Sequence, residues 1–132
     1  MSDELPRYVE FPEREALVSR GYKVFSDDLE NDELIFFHAT SEENVDRILR
    51  DGLRPGIELG GVLRTISYAT TSTEALTHWI TVREGRDGAI LALRFTDHDQ
   101  LFRESGTTYS QVLKTQPTVV AICLVSSSYQ HV

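Results

Sequence analysis

Two polar side chains that carry rings, His38 and Tyr68, occupy matching positions in two similar phrases of the sequence, HATS and YATTS. Each phrase follows a short apolar run and precedes an amphipathic segment, a pattern that predicts a strand followed at once by a helix. The first N–H groups and the dipole of a helix favour an anionic or carbonyl-bearing ligand. The sequence therefore places a candidate binding site at these two junctions.

Each candidate residue also has a structural interpretation that needs no ligand. His38 could do no more than hydrogen-bond a backbone group at the edge of the core. Tyr68 and Trp79, taken singly, fit ordinary core aromatics. Three arginines along the first predicted helix could contact the phosphates of a dinucleotide or of a nucleic-acid end, although ion pairs with nearby acids are the simpler explanation. These arginines are Arg47, Arg50 and Arg54.

Several other kinds of site are excluded or disfavoured. The chain has no P-loop, no GxGxxG motif, no HExxH and no GxSxG. Asp97, His98 and Asp99 are suitable metal ligands by type, but two further ligands at suitable spacing are missing. The single cysteine, Cys123, lies in the apolar run TVVAICLV, which predicts a buried thiol rather than a nucleophile or a ligand.

The elements before the first junction are predicted from proline and glycine at helix ends and from local residue composition. Pro12 and Gly21 bound a short predicted helix, and 22–25 (YKVF) is typical of a strand. The acidic stretch 26–33 (SDDLENDE) is typical of a solvated connector. We therefore expect the N-terminal third to be linked to the rest by an exposed segment.

The first junction is predicted from an apolar run and a helix signal. The run 34–37 (LIFF) predicts a strand buried on both faces, which ends at His38. Thr40 and Glu43 have the spacing of a capping box, and Gly52 marks the helix end. Four apolar residues share one helical face: Val45, Ile48, Leu49 and Leu53.

The second junction has the same order of signals. Residues 62–68 (VLRTISY) predict a strand, Thr71 and Glu74 form a second capping box, and the helix ends near Gly85. Its apolar face consists of Ala75, Leu76, Trp79 and Ile80.

The rest of the chain adds two predicted strands, 88–95 and 118–125. Between them, 97–104 is expected to form one or two helical turns and 105–108 a loop. Strands separated by helices, at least one strand being buried, predict an α+β or mixed α/β sandwich.

Composition and charge narrow the class of protein further. The 132 residues, 40% of them hydrophobic, suffice for one domain with one sizeable core. The charged N-terminus and the lack of any run of about 18 to 20 apolar residues predict a cytoplasmic chain without a membrane partner. A net charge of −8 disfavours affinity for DNA or long RNA.

The segment His38-Ala39-Thr40, the segment from Tyr68 to Ser72 and Trp79 on the next helix together resemble the ADP-ribosyltransferase superfamily. They are most similar to its histidine-tyrosine-glutamate branch, which includes diphtheria-toxin-like and poly(ADP-ribose) polymerase-like enzymes and, more distantly, RNA 2′-phosphotransferases. The segment ENVDRILRDGL is also similar to the helix that follows the histidine-bearing strand in that branch. The resemblance covers 34–95 and implies an α+β fold with a split, mixed or antiparallel sheet that grips NAD. Residues 34–132 would form the core and 1–33 an N-terminal extension.

The resemblance also implies a role for each matched residue. His38 would exchange a hydrogen bond with a ribose hydroxyl. Backbone groups of Ala39, with the Ser72 hydroxyl, would hold the nicotinamide carboxamide, and Thr40 joins this cofactor-binding set. The rings of Tyr68 and Trp79 would sandwich the cationic nicotinamide ring.

Two departures from the family pattern concern catalysis. Ala39 replaces the usual glycine, and no glutamate begins the last predicted strand, where Gln116 is the nearest candidate and Glu104 the other. Glutamine carries no charge to stabilise an oxocarbenium-like ribose. The catalytic set implied by the resemblance is therefore His38, Tyr68 and Gln116.

Three functions follow as hypotheses. The first is an NAD-binding ADP-ribosyltransferase-like protein that transfers ADP-ribose from its substrate NAD to an acceptor, which is a protein or a nucleic acid, with a protein favoured. The missing glutamate keeps open a catalytically inactive member of the fold that acts as a ligand-binding or protein-binding regulatory module. Removal of an RNA 2′-phosphate is a third hypothesis, which the acidic balance disfavours.

Overall fold

Two β-sheets joined at one point position the candidate residues. The computed structural model describes residues 6–53, 66–96, 102–104, 107–110 and 116–130. The strands there are β1 (Arg7–Val9), β2 (Ile35–Ser41), β3 (Ile66–Tyr68), β4 (Gly88–Arg94), β5 (Phe102–Glu104), β6 (Thr107–Ser110) and β7 (Thr118–Val125). The α-helices there are α1 (Arg14–Ser19), α2 (Asp27–Glu30), α3 (Val45–Asp51) and α4 (Ser72–Val82), and a 3-10 turn at Glu42–Asn44 precedes α3.

The larger sheet has the strand order β1-β7-β4-β2. β1 runs parallel to β7, whereas the β7–β4 and β4–β2 pairs are antiparallel. The predicted α+β class is therefore confirmed, with a mixed four-stranded sheet and a few helices.

The smaller sheet has the order β3-β6-β5 and is antiparallel. A bridge joins β3 to the edge of the larger sheet: the N–H of Phe37 donates to the Ala69 carbonyl over 2.9 Å, and the N–H of Ala69 donates to the Phe37 carbonyl over 2.8 Å. Within the described residues β2 and β3 pair at this bridge alone, so the two sheets separate here.

Each face of the larger sheet has its own apolar cluster, because successive side chains of a strand point to opposite faces. Ile35, Phe37 and Ala39 of β2 lie on what we call the α4 face, together with Leu76 and Trp79 of α4. Phe36 lies on the opposite, α3 face, and the same alternation puts His38 and Thr40 there. Buried partners on the α3 face are Val45, Ile48, Ile66, Tyr68, Leu91 and Phe95.

The first junction differs from its predicted form. β2 does not end at His38 but continues to Ser41, because 38–41 pair in register with 88–91 of β4. The capping box at Thr40 and Glu43 is therefore wrong: the cap before α3 makes no side-chain hydrogen bond, and the Thr40 hydroxyl accepts from the Asn44 amide over 3.2 Å. Gly52, with φ 84°, ends α3 as expected.

The second junction has its predicted form where the structure describes it: β3 covers Ile66–Tyr68, and residues 62–65 of the predicted strand lie outside the described residues. The N–H of Glu74 donates to Thr71 Oγ1 over 3.2 Å at the start of α4, which confirms the cap. The apolar face of α4 is also confirmed, since Ala75, Leu76 and Trp79 are buried.

Several other elements also differ from their predictions. Residues 22–25 form no strand, although Val24 and Phe25 are fully buried. The acidic stretch contains α2, whose Leu29 is buried, so this segment packs on the core instead of connecting through solvent. Phe102–Glu104 and Thr107–Ser110 are strands where a helical turn and a loop were expected, because they pair with each other and with β3.

None of the helices in the described ranges has both the length and the apolar composition that a membrane span requires.

Candidate functional site

His38 and Tyr68 come together on the α3 face, next to the bridge between the two sheets. Their ring centroids are 6.0 Å apart and their planes are inclined by 57°. His38 follows Phe37 and Tyr68 precedes Ala69, so each side chain is adjacent to one residue of the bridge. The point where the sheets separate therefore brings the two predicted residues into one place.

The imidazole of His38 is held by the backbone of β3. Its Nδ1 lies 2.9 Å from the carbonyl oxygen of Ser67, two residues before the bridging Ala69. A carbonyl can only accept, so Nδ1 carries the hydrogen and Nε2 of the neutral ring has a lone pair. Among the described residues no hydrogen bond to Nε2 is present, which leaves this nitrogen as an acceptor for a hydroxyl group.

The surroundings favour the neutral form of His38. Burial lowers the pKa of the imidazole below its usual 6.5; the hydrogen bond to the Ser67 carbonyl opposes this, and the charge of His78 adds to the lowering. His38 therefore remains an unprotonated acceptor at neutral pH.

The Tyr68 ring is buried beside the imidazole and is held there by packing. The Tyr68 side chain is only 4% exposed, and its ring packs edge-on against Phe95 with the centroids 5.2 Å apart. The ring is therefore part of the core, as its structural interpretation has it, and also a neighbour of His38.

Trp79 lies on the α4 face, away from Tyr68. Its ring is buried against the backbone of Gly88, where an added Cβ would fall 2.1 Å from Trp79 Cε2. The guanidinium carbon of Arg86 lies 5.3 Å from the centre of the indole ring. Trp79 and Tyr68 thus do not face each other across one site, and this arrangement contains no sandwich of the two rings.

Ser72 forms its hydrogen bonds with the N-terminal part of the chain. Its hydroxyl accepts from the N–H of Val24 over 2.9 Å and donates to the Glu30 carboxylate. The N–H of Ser72 donates to the same carboxylate over 3.2 Å, and so does the N–H of Phe25. The fully buried Ser72 is therefore a structural link in this arrangement rather than a group that faces His38.

Gln116 links the end of α3 to the start of β7. Its side-chain oxygen accepts from the N–H of Leu53 over 2.9 Å, and its side-chain nitrogen donates to the Leu53 carbonyl over 3.0 Å. Both ends of the amide are thus engaged with one backbone residue, and Gln116 has a structural role here.

The two remaining residues of the predicted set divide between the faces. Ala39 packs with the cluster on the α4 face, while Thr40 lies on the α3 face, two residues from His38, and accepts a hydrogen bond from Asn44. Of the seven candidates, His38, Tyr68 and Thr40 therefore share the α3 face, and Gln116 binds Leu53, which belongs to the apolar cluster on that face.

The remaining residues named in the sequence analysis are the cysteine, the candidate metal ligands, Arg54 and Glu104. Burial raises the pKa of the Cys123 thiol to about 12, in agreement with an unreactive core cysteine. Asp97, His98, Asp99 and Arg54 lie outside the described residues, as does the side chain of Glu104. In the described part of the chain, no group of three or more His, Cys, Asp and Glu side chains could hold a metal ion.

Two features of the site were missed by the sequence analysis. The Ser67 carbonyl, which fixes the imidazole, is a backbone group and leaves no trace in the residue pattern. Glu30 belongs to the acidic stretch that was interpreted as solvated, and the one signal against that interpretation is the apolar Leu29 within it.

Comparison with protein-family models, with curated proteins and with solved structures found no match for this chain.

Proposed function

We propose that this chain is an ADP-ribosyltransferase-like domain that binds NAD, or another ligand bearing ADP-ribose, at His38 and Tyr68. The observation that carries the proposal is their position side by side where two hydrogen-bonded sheets separate. Among the described residues β2 and β3 pair no further than this bridge, so a ligand can approach the edge of β2 there without displacing ladder bonds. The resemblance in sequence, which covers 34–95, includes both junctions at which these two residues lie.

The chemistry of the two side chains fits a ribose. A neutral imidazole with Nδ1–H fixed on the Ser67 carbonyl presents Nε2 as an acceptor to a sugar hydroxyl. The buried ring of Tyr68 supplies a rigid apolar surface beside it. Ser72 and Trp79, held on the α4 face, take no part in this version of the site.

Binding without ADP-ribose transfer is the form of the proposal that the described residues support. Cleavage of the nicotinamide bond passes through a cationic ribose that needs a nearby carboxylate. Among the described groups that shift the pKa of His38, none is a carboxylate, and the Gln116 amide is occupied by Leu53. We therefore favour a ligand-binding regulatory module, with the acceptor-modifying enzyme as the second candidate on the strength of the same resemblance.

The test is calorimetric titration of NAD into the wild-type chain and into two variants. His38→Asn keeps a donor near the position of Nδ1 but removes Nε2, so the affinity should fall roughly fivefold to tenfold, the value of one hydrogen bond. His78→Asn, at an exposed position of α4, is the matched control and should bind like the wild type. Absence of binding at about millimolar NAD, with the fold intact, would defeat the proposal.

Incubation with labelled NAD separates the two candidates. A binding module leaves the label in intact NAD. Release of nicotinamide that is lost in His38→Asn and retained in His78→Asn would instead establish the enzyme.

A further inference from the structure

Two arginines of α3 have opposite surroundings. The side chain of Arg50 is 71% exposed and forms an ion pair with Asp51 at 3.1 Å. Arg47, one turn earlier, is partly buried, and its Nη1 is shielded from solvent without a hydrogen-bond partner in the described part of the chain. The two residues differ in surroundings although they are of the same type and belong to the same helix.

A buried guanidinium N–H without an acceptor is unfavourable, since the group has lost its water and gained nothing in return. Buried polar groups are nearly always paired, so each exception calls for an explanation. Among the described residues three buried side-chain nitrogens lack a hydrogen-bond partner, namely Arg47 Nη1, Arg83 Nη1 and Trp79 Nε1, and of these Arg47 is the one that belongs to α3. Because guanidinium remains protonated and offers parallel N–H groups, the acceptor it matches best is an anionic group with two oxygens, such as phosphate.

The position of Arg47 relates it to the candidate site. Arg47 and Asn44 are three residues apart and so start from the same side of the helical segment. The side-chain amide of Asn44 donates to the Thr40 hydroxyl, and Thr40 shares the α3 face with His38. Arg47 is therefore attached on the side of α3 that adjoins the strand carrying the imidazole.

We propose that Arg47 binds a phosphate group of the ligand that His38 and Tyr68 hold. This inference rests on the proposed function and adds the part of the ligand that Arg47 recognises. A chain with a net charge of −8 repels phosphates at long range, so a local arginine is needed to bind one. Phosphate also satisfies Nη1, which has no hydrogen-bond partner among the residues that the structure describes.

The experiment titrates NAD, adenosine and inorganic pyrophosphate into the wild type, Arg47→Gln and Arg50→Gln. Losing a charge-assisted hydrogen bond should weaken NAD and pyrophosphate about tenfold to a hundredfold in Arg47→Gln. Arg50→Gln removes the same charge and should stay within about twofold of the wild type. Adenosine, which has no phosphate, should bind the wild type and Arg47→Gln equally.

The possible failures are distinguishable. If NAD binds the wild type and Arg47→Gln equally, the role of Arg47 is refuted while the proposed function stands. If pyrophosphate binds and depends on Arg47 but NAD does not bind, the proposed function is refuted while the phosphate site stands. Equal losses in the two glutamine variants would reduce the effect to net charge and overturn the inference.

A second variant covers the case in which Arg47→Gln does not fold. Arg47→Lys keeps the charge and most of the stem but has no planar fork, so pyrophosphate binding should still weaken. Unchanged binding in a folded Arg47→Lys variant would overturn a role that depends on the guanidinium.

Discussion

At the residue scale, one hydrogen bond determines what His38 can do. Because the Ser67 carbonyl takes the Nδ1 hydrogen, the ring has a defined tautomer, and burial keeps it unprotonated. The same histidine is therefore a partner of the backbone at the core edge through Nδ1, and its Nε2 is available as the hydrogen-bond acceptor that the proposed function requires. The two interpretations that the sequence left open for His38 are compatible in the fold.

The lowered pKa of His38 predicts a pH dependence of stability. The unfolded chain binds a proton near pH 6.5, whereas the folded chain binds it only at lower pH. The unfolded state therefore takes up more protons as the pH falls, so the stability due to neutral His38 is complete above about 6.5 and is lost below it.

Urea unfolding at about pH 7.5 and about pH 5.5 measures this effect. The fall in stability between the two pH values should be smaller in His38→Asn than in the wild type. In His78→Asn, which removes only the smallest of the causes that act on the His38 pKa, the fall should be nearly as large as in the wild type. Equal falls in the wild type and in His38→Asn would show that the imidazole does not have a lowered pKa.

The residues of the candidate site could be chosen from the sequence, but the sheet face on which each side chain lies could be predicted only in part. His38 and Tyr68 were correctly brought together, because each adjoins a residue of the same bridge. Trp79 could not be placed, since a residue on α4 can face either Tyr68 or the sheet, and the glycine that accommodates it, Gly88, lies in another element. The bonds of Gln116 to Leu53 span 63 positions, a separation that no local pattern encodes.

At the element scale, pairing between strands decided the boundaries that local signals did not. Thr40 and Glu43 have cap spacing, but a cap requires the chain to leave the sheet at Thr40. The ladder between β2 and β4 extends to Ser41 and Gly88, so Thr40 stays in the strand and does not cap a helix. Thr71 has no such competing ladder, and its cap forms. Elements with strong internal periodicity, such as α4 and β7, were therefore predictable, while β5 and β6 depend on partners far away.

The contact between α4 and β4 gives a prediction at this scale. Gly88→Ala places a Cβ inside the Trp79 ring, at 2.1 Å from Cε2 and 2.2 Å from Nε1, so the helix and strand must move apart. We expect a loss of roughly 1 to 3 kcal/mol in the free energy of unfolding, measured by urea denaturation followed by far-ultraviolet circular dichroism.

A double-mutant cycle provides the control for that contact. In a Trp79→Leu background the obstructing ring is gone, so adding Gly88→Ala should cost clearly less than it does in the wild type. If the two costs are equal, the strain lies elsewhere than in the α4–β4 contact.

At the scale of the whole molecule, the N-terminal third is part of the main core. The Phe25 and Phe37 rings stack at 5.6 Å, and Leu17, Val24 and Leu29 are buried in the cluster that contains Trp79. The Glu30–Ser72 link adds polar bonds between α2 and the start of α4. Residues before β2 therefore cover the α4 face and leave the α3 face to the candidate site.

This arrangement predicts that the link stabilises the molecule as one unit. Ser72→Ala leaves the buried N–H of Val24 without an acceptor and should lower the free energy of unfolding by about 1 to 3 kcal/mol. Trp79 fluorescence and far-ultraviolet circular dichroism should report one coincident transition. A variant that loses amide protection only around Val24, at unchanged overall stability, would show that the N-terminal third unfolds separately.

Trp79 is an indirect reporter of the ligand, because it lies on the face opposite to the site. The most direct measurement is ¹⁵N NMR of the His38 imidazole during addition of NAD. We expect a neutral ring protonated at Nδ1, whose Nε2 resonance shifts and saturates as a hydroxyl donates to it. An Nε2 resonance that stays unmoved at about millimolar NAD, or a ring protonated at Nε2 instead, would contradict this prediction.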